Sequence, residues 1–279
     1  MTRNKEILNS LITLTVREVR RFLRIWVQTL VPPAVTMSLY FVIFGSLIGP
    51  RIGEMNGLDY IQFMIPGLVM LSVITSSYAN VVSSFFGVKF QRSIEELMIS
   101  PMPNIVILTG FIIGGVARGV MVGIIVFLVS LFFYPDFTIV DPLLTISVLI
   151  LTAILFSLMG FLNAIYADTF DDISVVPTFV LTPLIYLGGV FYSITILPEF
   201  WQKVSLANPM LYVVNTFRQG MLGVSDISVS FSLIMQVFFI VLFGALALHL
   251  LKKGTGISCL LYTSPSPRDY AASRMPSSA

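Results

Sequence analysis

The chain is 279 residues long, 56% hydrophobic and only 11% charged, against roughly 25% charged residues in a soluble domain. With a mean hydropathy of +0.94 it cannot coat itself in polar surface and reads as an all-α, polytopic membrane protein. A formal net charge of +2 implies no nucleic-acid partner, and the single cysteine, Cys259, excludes an intrachain disulfide framework.

Residues 1–24 form the first unit. Leu8, Leu11, Thr15, Val19 and Phe22 recur at helical spacing, and Arg17, Arg20, Arg21 and Arg24 fall on another face. This pattern predicts an amphipathic helix on the inner leaflet, its basic face toward anionic headgroups; the plainer alternative is a charged anchor. Arg3, Lys5 and the four later arginines leave no uninterrupted apolar run before Ile25, so a cleavable signal is not expected.

A membrane span needs about 20 mainly apolar helical residues. Six stretches qualify within a transmembrane unit over 25–253: about 25–48, 60–84, 104–133, 142–166, 174–196 and 229–251. Asp141 and Pro142 suit the N-cap and first turn of the fourth. Pro32, Pro33, Pro66, Pro177 and Pro183 can kink the spans that hold them. With both termini inside, the cytoplasmic segments hold Arg3, Lys5, Arg17, Arg20, Arg21, Arg24, Lys89, Arg92, Lys252 and Lys253. The outer ones hold Arg51, Lys203 and Arg218. That Lys/Arg bias predicts cytoplasmic N- and C-termini.

Ser76, Asn80, Ser83 and Ser84 share a face of the second span, either lining a pathway or joining helices. The segment KFQRSIEELMISPMP, residues 89–103, follows. Ser93 and Glu96 fit a capping box; Phe90, Ile94, Leu97 and Pro101 share one face, and Lys89, Arg92, Glu95 and Glu96 offer polar contacts. By residues alone it is either an amphipathic helix for a partner's groove or a charged turn. In the third span Gly115, Gly119 and Gly123 form a stripe that admits a close helix. Arg118 lies near its middle. It is a pathway-lining charge, the partner of a carboxylate, or a residue brought toward an interface by a long or tilted span.

Catalytic groups are sparse. His249 has no cluster of metal ligands around it, and Asp168, Asp171 and Asp172 crowd one short cytoplasmic turn. No G-x-x-x-x-G-K-[ST] phosphate loop is present, so this chain is not expected to bind ATP by that route or to carry a cofactor. Residues 188–223 are semi-apolar and rich in aromatics. Asn208–Pro209 should start a short helix there and Gly220 end it, giving an element that dips into the membrane from outside, with Trp201 and Tyr212 near headgroup level. Residues 258–279 turn to Ser, Pro and Arg and read as a non-native or disordered tail.

Several separated stretches carry a resemblance that runs from about Arg20 to Lys253. They are RFLRIWVQTLVPP at 21–33, FMIPGL at 63–68, KFQRSIEELMISPMP at 89–103, TFDDISVVPTFVLTPLIYLGGVFYS at 169–193, and Leu197, Pro198, Asn208, Pro209 and Arg218. Together they resemble the permease subunits of type-2 ABC exporters of the bacterial inner membrane. The resemblance implies six helices, an N-terminal interfacial helix, a cytoplasmic coupling helix and an extracellular re-entrant hairpin. It also implies two cytoplasmic ATPase subunits and a second permease copy, a homodimer being expected. On this reading Ser93, Ile94, Glu95, Glu96 and Leu97 couple to the ATPase, with Ile94 and Leu97 filling its groove, and Arg118 and Asn80 line a pathway or pair. The rival classes are an ion-coupled carrier or channel, which would need inverted repeats, and an intramembrane enzyme, which would need a catalytic constellation.

Overall fold

A computed structural model describes residues 2–55, 57–91, 93–100 and 102–254. The predicted tail and Pro101 lie outside the described residues, as do the side chains of Arg3, Arg92 and Glu95. Helix α1 spans Thr2–Arg24 and α2 Trp26–Ile52. Between them Ile25 leaves helical geometry (φ −112°, ψ 37°), and Thr29 Oγ1 donates to the Phe22 carbonyl across the bend at 3.0 Å. A second irregularity at Leu30 (φ −109°, ψ −35°) restarts the helix at Val31, and Pro32 and Pro33 sit in that first turn, where a missing N–H is no loss. The C-terminal part of α2 widens to a π-helix over Phe41–Ile48 and stops at Gly53. A two-stranded hairpin, β1 Glu54–Met55 against β2 Leu58–Asp59, leads on to α3, Tyr60–Phe90.

Helix α3 is the centre of the bundle. It runs through Pro66 and buries most of its length, packing chiefly on α5 (Asn104–Phe133) and α6 (Pro142–Tyr166). Phe85, Phe111 and Phe161, one from each helix, meet with centroids 4.2–6.1 Å apart. Asp141 caps α6 as its sequence predicts, its Oδ1 accepting from the Leu144 N–H at 3.0 Å. The short α4, Ser93–Ile99, joins α3 to α5. The last long helix is α10, Val229–Lys253.

Among the described residues five helices are long and apolar enough to cross a membrane: α2, α3, α5, α6 and α10. The stretch expected as a span at 174–196 is helical over Asp172–Tyr186, here α7. That is roughly 22 Å at 1.5 Å per residue, against about 30 Å of hydrocarbon. It ends where Gly188 packs under Met210 and Gly189 takes a positive φ of 72°. A 3-10 turn at Ile194–Ile196 and two helices, α8 Glu199–Leu206 and α9 Pro209–Leu222, follow. Asn208 caps α9 as expected, accepting from the Met210 N–H at 2.9 Å. Gly220 does not end it. That residue lies inside α9, where a Cβ would come within 2.7 Å of Thr145 Oγ1, and the left-handed stop falls at Gly223 (φ 74°).

Candidate functional site

The face by which α1 meets the bundle is Leu14, Glu18 and Phe22, all buried, whereas Leu8 is exposed. Glycines on α5 receive it: a Cβ on Gly114 would stand 2.6 Å from Glu18 Cβ, and Gly110 lies under Leu14. A carboxylate at 1% exposure needs partners. Glu18 accepts from Ser84 Oγ in a short contact, from Arg17 at 3.1 Å and from Arg21 at 3.4 Å. Arg21 then donates to both the carbonyl and Oδ1 of Asn80 at 2.9 Å. Burial lowers the Arg21 pKa from its ordinary value, and Glu18 opposes that shift. The expected face of α1 is therefore rotated: its buried stripe includes an acid, tolerated because two arginines and a serine from α3 satisfy it.

Asn80 and Ser84 are thus held in a polar joint between α1 and α3, with Asn80 Nδ2 buried and unpartnered. Arg118 is mid-way along α5. Its guanidinium donates to the Thr29 carbonyl at 3.4 Å, its Nε has no partner, and among the described residues no carboxylate lies within ion-pair distance of it. It borders a cavity of about 420 Å³ between α2, α3, α5 and α7. A second cavity, about 870 Å³, opens between α1 and the C-terminal half of α3.

The glycine stripe sits at the tightest crossings. Gly115 faces Ser157 and Val81, Gly119 faces Ser77, and a Cβ on Gly123 would come 2.8 Å from Val73. Two glycines outside the stripe press on backbone: Gly160 on Tyr78 and Gly67 on Val190.

At the end of α3 near α4, Lys89 is buried and its ammonium donates to the carbonyls of Ile165 (2.9 Å) and Ala167 (2.6 Å), with Asp168 at 3.4 Å. A cation at the C-terminus of α6 meets the negative end of that helix dipole. Asp172 accepts from the backbone N–H groups of Thr169 and Asp168, which hold its carboxyl below the usual range, so this acid caps a turn. His249 is exposed.

Helix α4 differs from expectation in which side it offers. Ile94 is 2% exposed and belongs to the chain's own core, and Leu97 packs against that core. Ile94 is therefore not free to fill a partner's groove, and Leu97 is half-buried. The outward side carries Glu96 and Ile99, the latter 85% exposed. Phe90 at the end of α3 and Phe170 in the turn after α6 also stand exposed, with rings 4.9 Å apart.

At the far end Arg218 is fully buried and donates to the Gly189 carbonyl at 2.6 Å, with its guanidinium 3.9 Å from the centre of the Phe63 ring. Glu18, Lys89 and Arg218 were not singled out as sites by sequence. Glu18 had a signal, since it is the only acid between Glu6 and Glu54 and stands among arginines.

The family model described as "ABC-2 type transporter" matches residues 9–222. The chain belongs to the ABC-2 type transporter family. It is 57% identical over 241 residues to "Inner membrane transport permease YadH" of Escherichia coli K12, covering 86% of this chain and 94% of that protein. It is 24% identical over 187 residues to "Nodulation protein J" of Rhizobium meliloti, covering 66% of this chain and 71% of that one. Placed in the ABC-2 family, the buried helices and the cavities beside α3 are those of a membrane permease subunit of an ABC transporter.

Proposed function

We propose that the chain is the permease subunit of an ATP-driven exporter of the bacterial inner membrane, with both termini cytoplasmic. It pairs with a second copy of itself and with two cytoplasmic ATPase subunits, carries no cofactor of its own and leaves ATP hydrolysis to the partner. α7 with the turns after it makes the sixth crossing, and residues 188–223 form a hairpin that enters from outside. Residues 258–279 contribute nothing to it.

The observation that carries this reading is the set of exposed apolar side chains, Phe90 and Phe170 in ring contact and Ile99 beside the exposed Glu96 face of α4, at the end of the bundle where the Lys/Arg bias puts the cytoplasm. Apolar side chains with a charged rim suit a docking surface. We assign the ATPase contact to this side of α4, with Ser93, Ile94 and Leu97 setting the helix against the bundle. Leu97 and Ser100 border one cavity with Leu14 and Arg17, and on this reading a push on α4 is passed to α1 and its polar joint at Glu18.

Ile99→Asp and Phe170→Asp should each weaken copurification with the ATPase by about tenfold or more, as truncation of interface anchors does. Glu96→Arg should act in a salt-dependent way. Ile94→Ala should lower the permease's own stability by about 2–5 kcal/mol. Unchanged copurification in both Asp variants would remove the ATPase from this face. Reporter fusions after Gly57, Asp136 and Ser225 should read as outside, and those after Ser93 and Lys253 as inside. A Ser93 fusion reading outside would reverse the topology.

A further inference from the structure

The two cavities beside α3 share one wall. Ser83 and Ser84 line the inner one and Thr75 and Ser76 the other, with Asn80 between them in the grip of Arg21. The inner cavity carries Arg17, Arg20, Arg21 and Arg24 against one acid, Glu18, whose oxygens are already taken by Arg17, Arg21 and Ser84. In the other, Arg118 is the only charged lining residue among the described residues, and Gln28, Thr36 and Ser76 supply neutral polar groups. Pro33, Met37, Leu71 and Ile185 supply apolar wall.

A guanidinium within a spanning helix costs about 2.5–3.5 kcal/mol unless water or an anion compensates it. Arg118 has only a long bond to one carbonyl, and no carboxylate among the described residues reaches it. A cationic occupant would be repelled, and a neutral one would leave the charge uncompensated. Both volumes fall within the ordinary range of ligand sites, about 300–1,000 Å³. An arginine-rich mouth followed by a cavity with one cation and greasy walls suits a ligand with a negative head and a hydrocarbon tail.

We propose that these cavities are successive stations for an amphiphile with an anionic phosphate- or carboxylate-type head. The arginines of α1 collect the head and Arg118 holds it in the second cavity. That this ligand is the transported cargo rests on the exporter reading above; that it binds does not.

The test uses the full chain in phosphatidylcholine nanodiscs, with dodecyl phosphate as probe and calorimetry read against empty discs. The wild type should bind saturably, and excess dodecyltrimethylammonium should not compete. Arg118→Gln should weaken binding by about tenfold or more, in line with loss of a charge-assisted hydrogen bond. Arg118→Lys should keep most of it. Thr36→Phe, which leaves the arginine in place and fills the cavity, should block binding and serves if Arg118→Gln fails to fold. Phosphatidylglycerol added to the disc separates the sources: competition assigns the site to a bilayer lipid head, and its absence to a cargo amphiphile. Equal binding by wild type and Arg118→Gln, unchanged binding by Thr36→Phe, or competition by the cationic amphiphile would overturn the proposal. Because neither ATP nor a partner chain is present, the binding result stands apart from the exporter reading; binding here, with no ATP-driven flux once the ATPase and ATP are reconstituted in proteoliposomes, would count against the exporter reading alone.

Discussion

Gly160→Leu should abolish the recoverable folded permease, and Gly160→Ala should already destabilise it by about 1–3 kcal/mol, the usual range for overpacking. Gly160 lies where α6 crosses α3, the most extensive helix contact in the bundle. A Cβ there would come within 2.6 Å of the Tyr78 carbonyl oxygen and 3.3 Å of the Tyr78 carbonyl carbon and Cα. Those are backbone atoms of a buried helix, so relief requires α3 and α6 to separate, which forfeits dispersion along the whole crossing. Gly119→Ala should be milder, because the atoms it meets first belong to the Ser77 side chain, which can rotate. Gly87→Ala is the control. Nothing lies within 4 Å of a Cβ there, and alanine's helix propensity favours it by up to about 1 kcal/mol. Thermal unfolding in detergent should rank the variants Gly87→Ala, Gly119→Ala, Gly160→Ala from most to least stable. Equal stability of the first and last would mean that the crossing is not close-packed at Gly160.

What was legible in the sequence was what is local. The caps at Asp141 and Asn208 act on N–H groups two or three residues away, so a short motif contains the whole interaction. The stripe of Gly115, Gly119 and Gly123 repeats at helical spacing, so its shared face can be read. Its neighbours Gly110 and Gly114, and the isolated Gly160 and Gly67, owe their roles to atoms of distant segments. The face of α1 was read one stripe away because Glu18 counts as polar by itself; its burial makes sense only with Ser84 from α3, 66 residues on, in hand. The end of α7 was missed because the apolar run continues past Tyr186, and hydropathy does not register the backbone turn at Gly189. Ile94 was assigned to a partner because one face of an isolated helix does not say which of two grooves it fills. Here the groove belongs to the chain's own bundle.

Arg218→Met should destabilise the outer end of the protein by about 3–5 kcal/mol, the cost of breaking a buried charged network from one side. The residue is 1% exposed and joins three segments. Its guanidinium donates to Gly189, at the turn that ends α7, and to Asn215 Oδ1 at 3.4 Å within α9, and it lies over Phe63 of α3. Asn215 Oδ1 also accepts from the Asp226 N–H at 3.3 Å, and the Asp226 carboxylate accepts from Ser193 Oγ at 3.0 Å. Arg218 therefore ties the turn at Gly189 to α9 and α3, beside the direct bond of Ser193 to Asp226 that joins the segments before α8 and after α9. Methionine fills similar volume but leaves the Gly189 carbonyl without this donor and removes the attraction to the Phe63 ring. Lysine should rescue little, since a point charge cannot serve the carbonyl and stack on the ring as a planar guanidinium does. Protease added from the side that the proposed topology makes outer should cut Arg218→Met within residues 188–198 at concentrations that leave the wild type intact. The inner bundle, packed on Phe85, Phe111 and Phe161, should stay folded in that variant, so the α1–α3 contact at Glu18 and Ser84 should remain cross-linkable through introduced cysteines. Wild-type protease resistance in Arg218→Met would show that Arg218 does not hold the hairpin, and full rescue by lysine would reduce its role to charge alone.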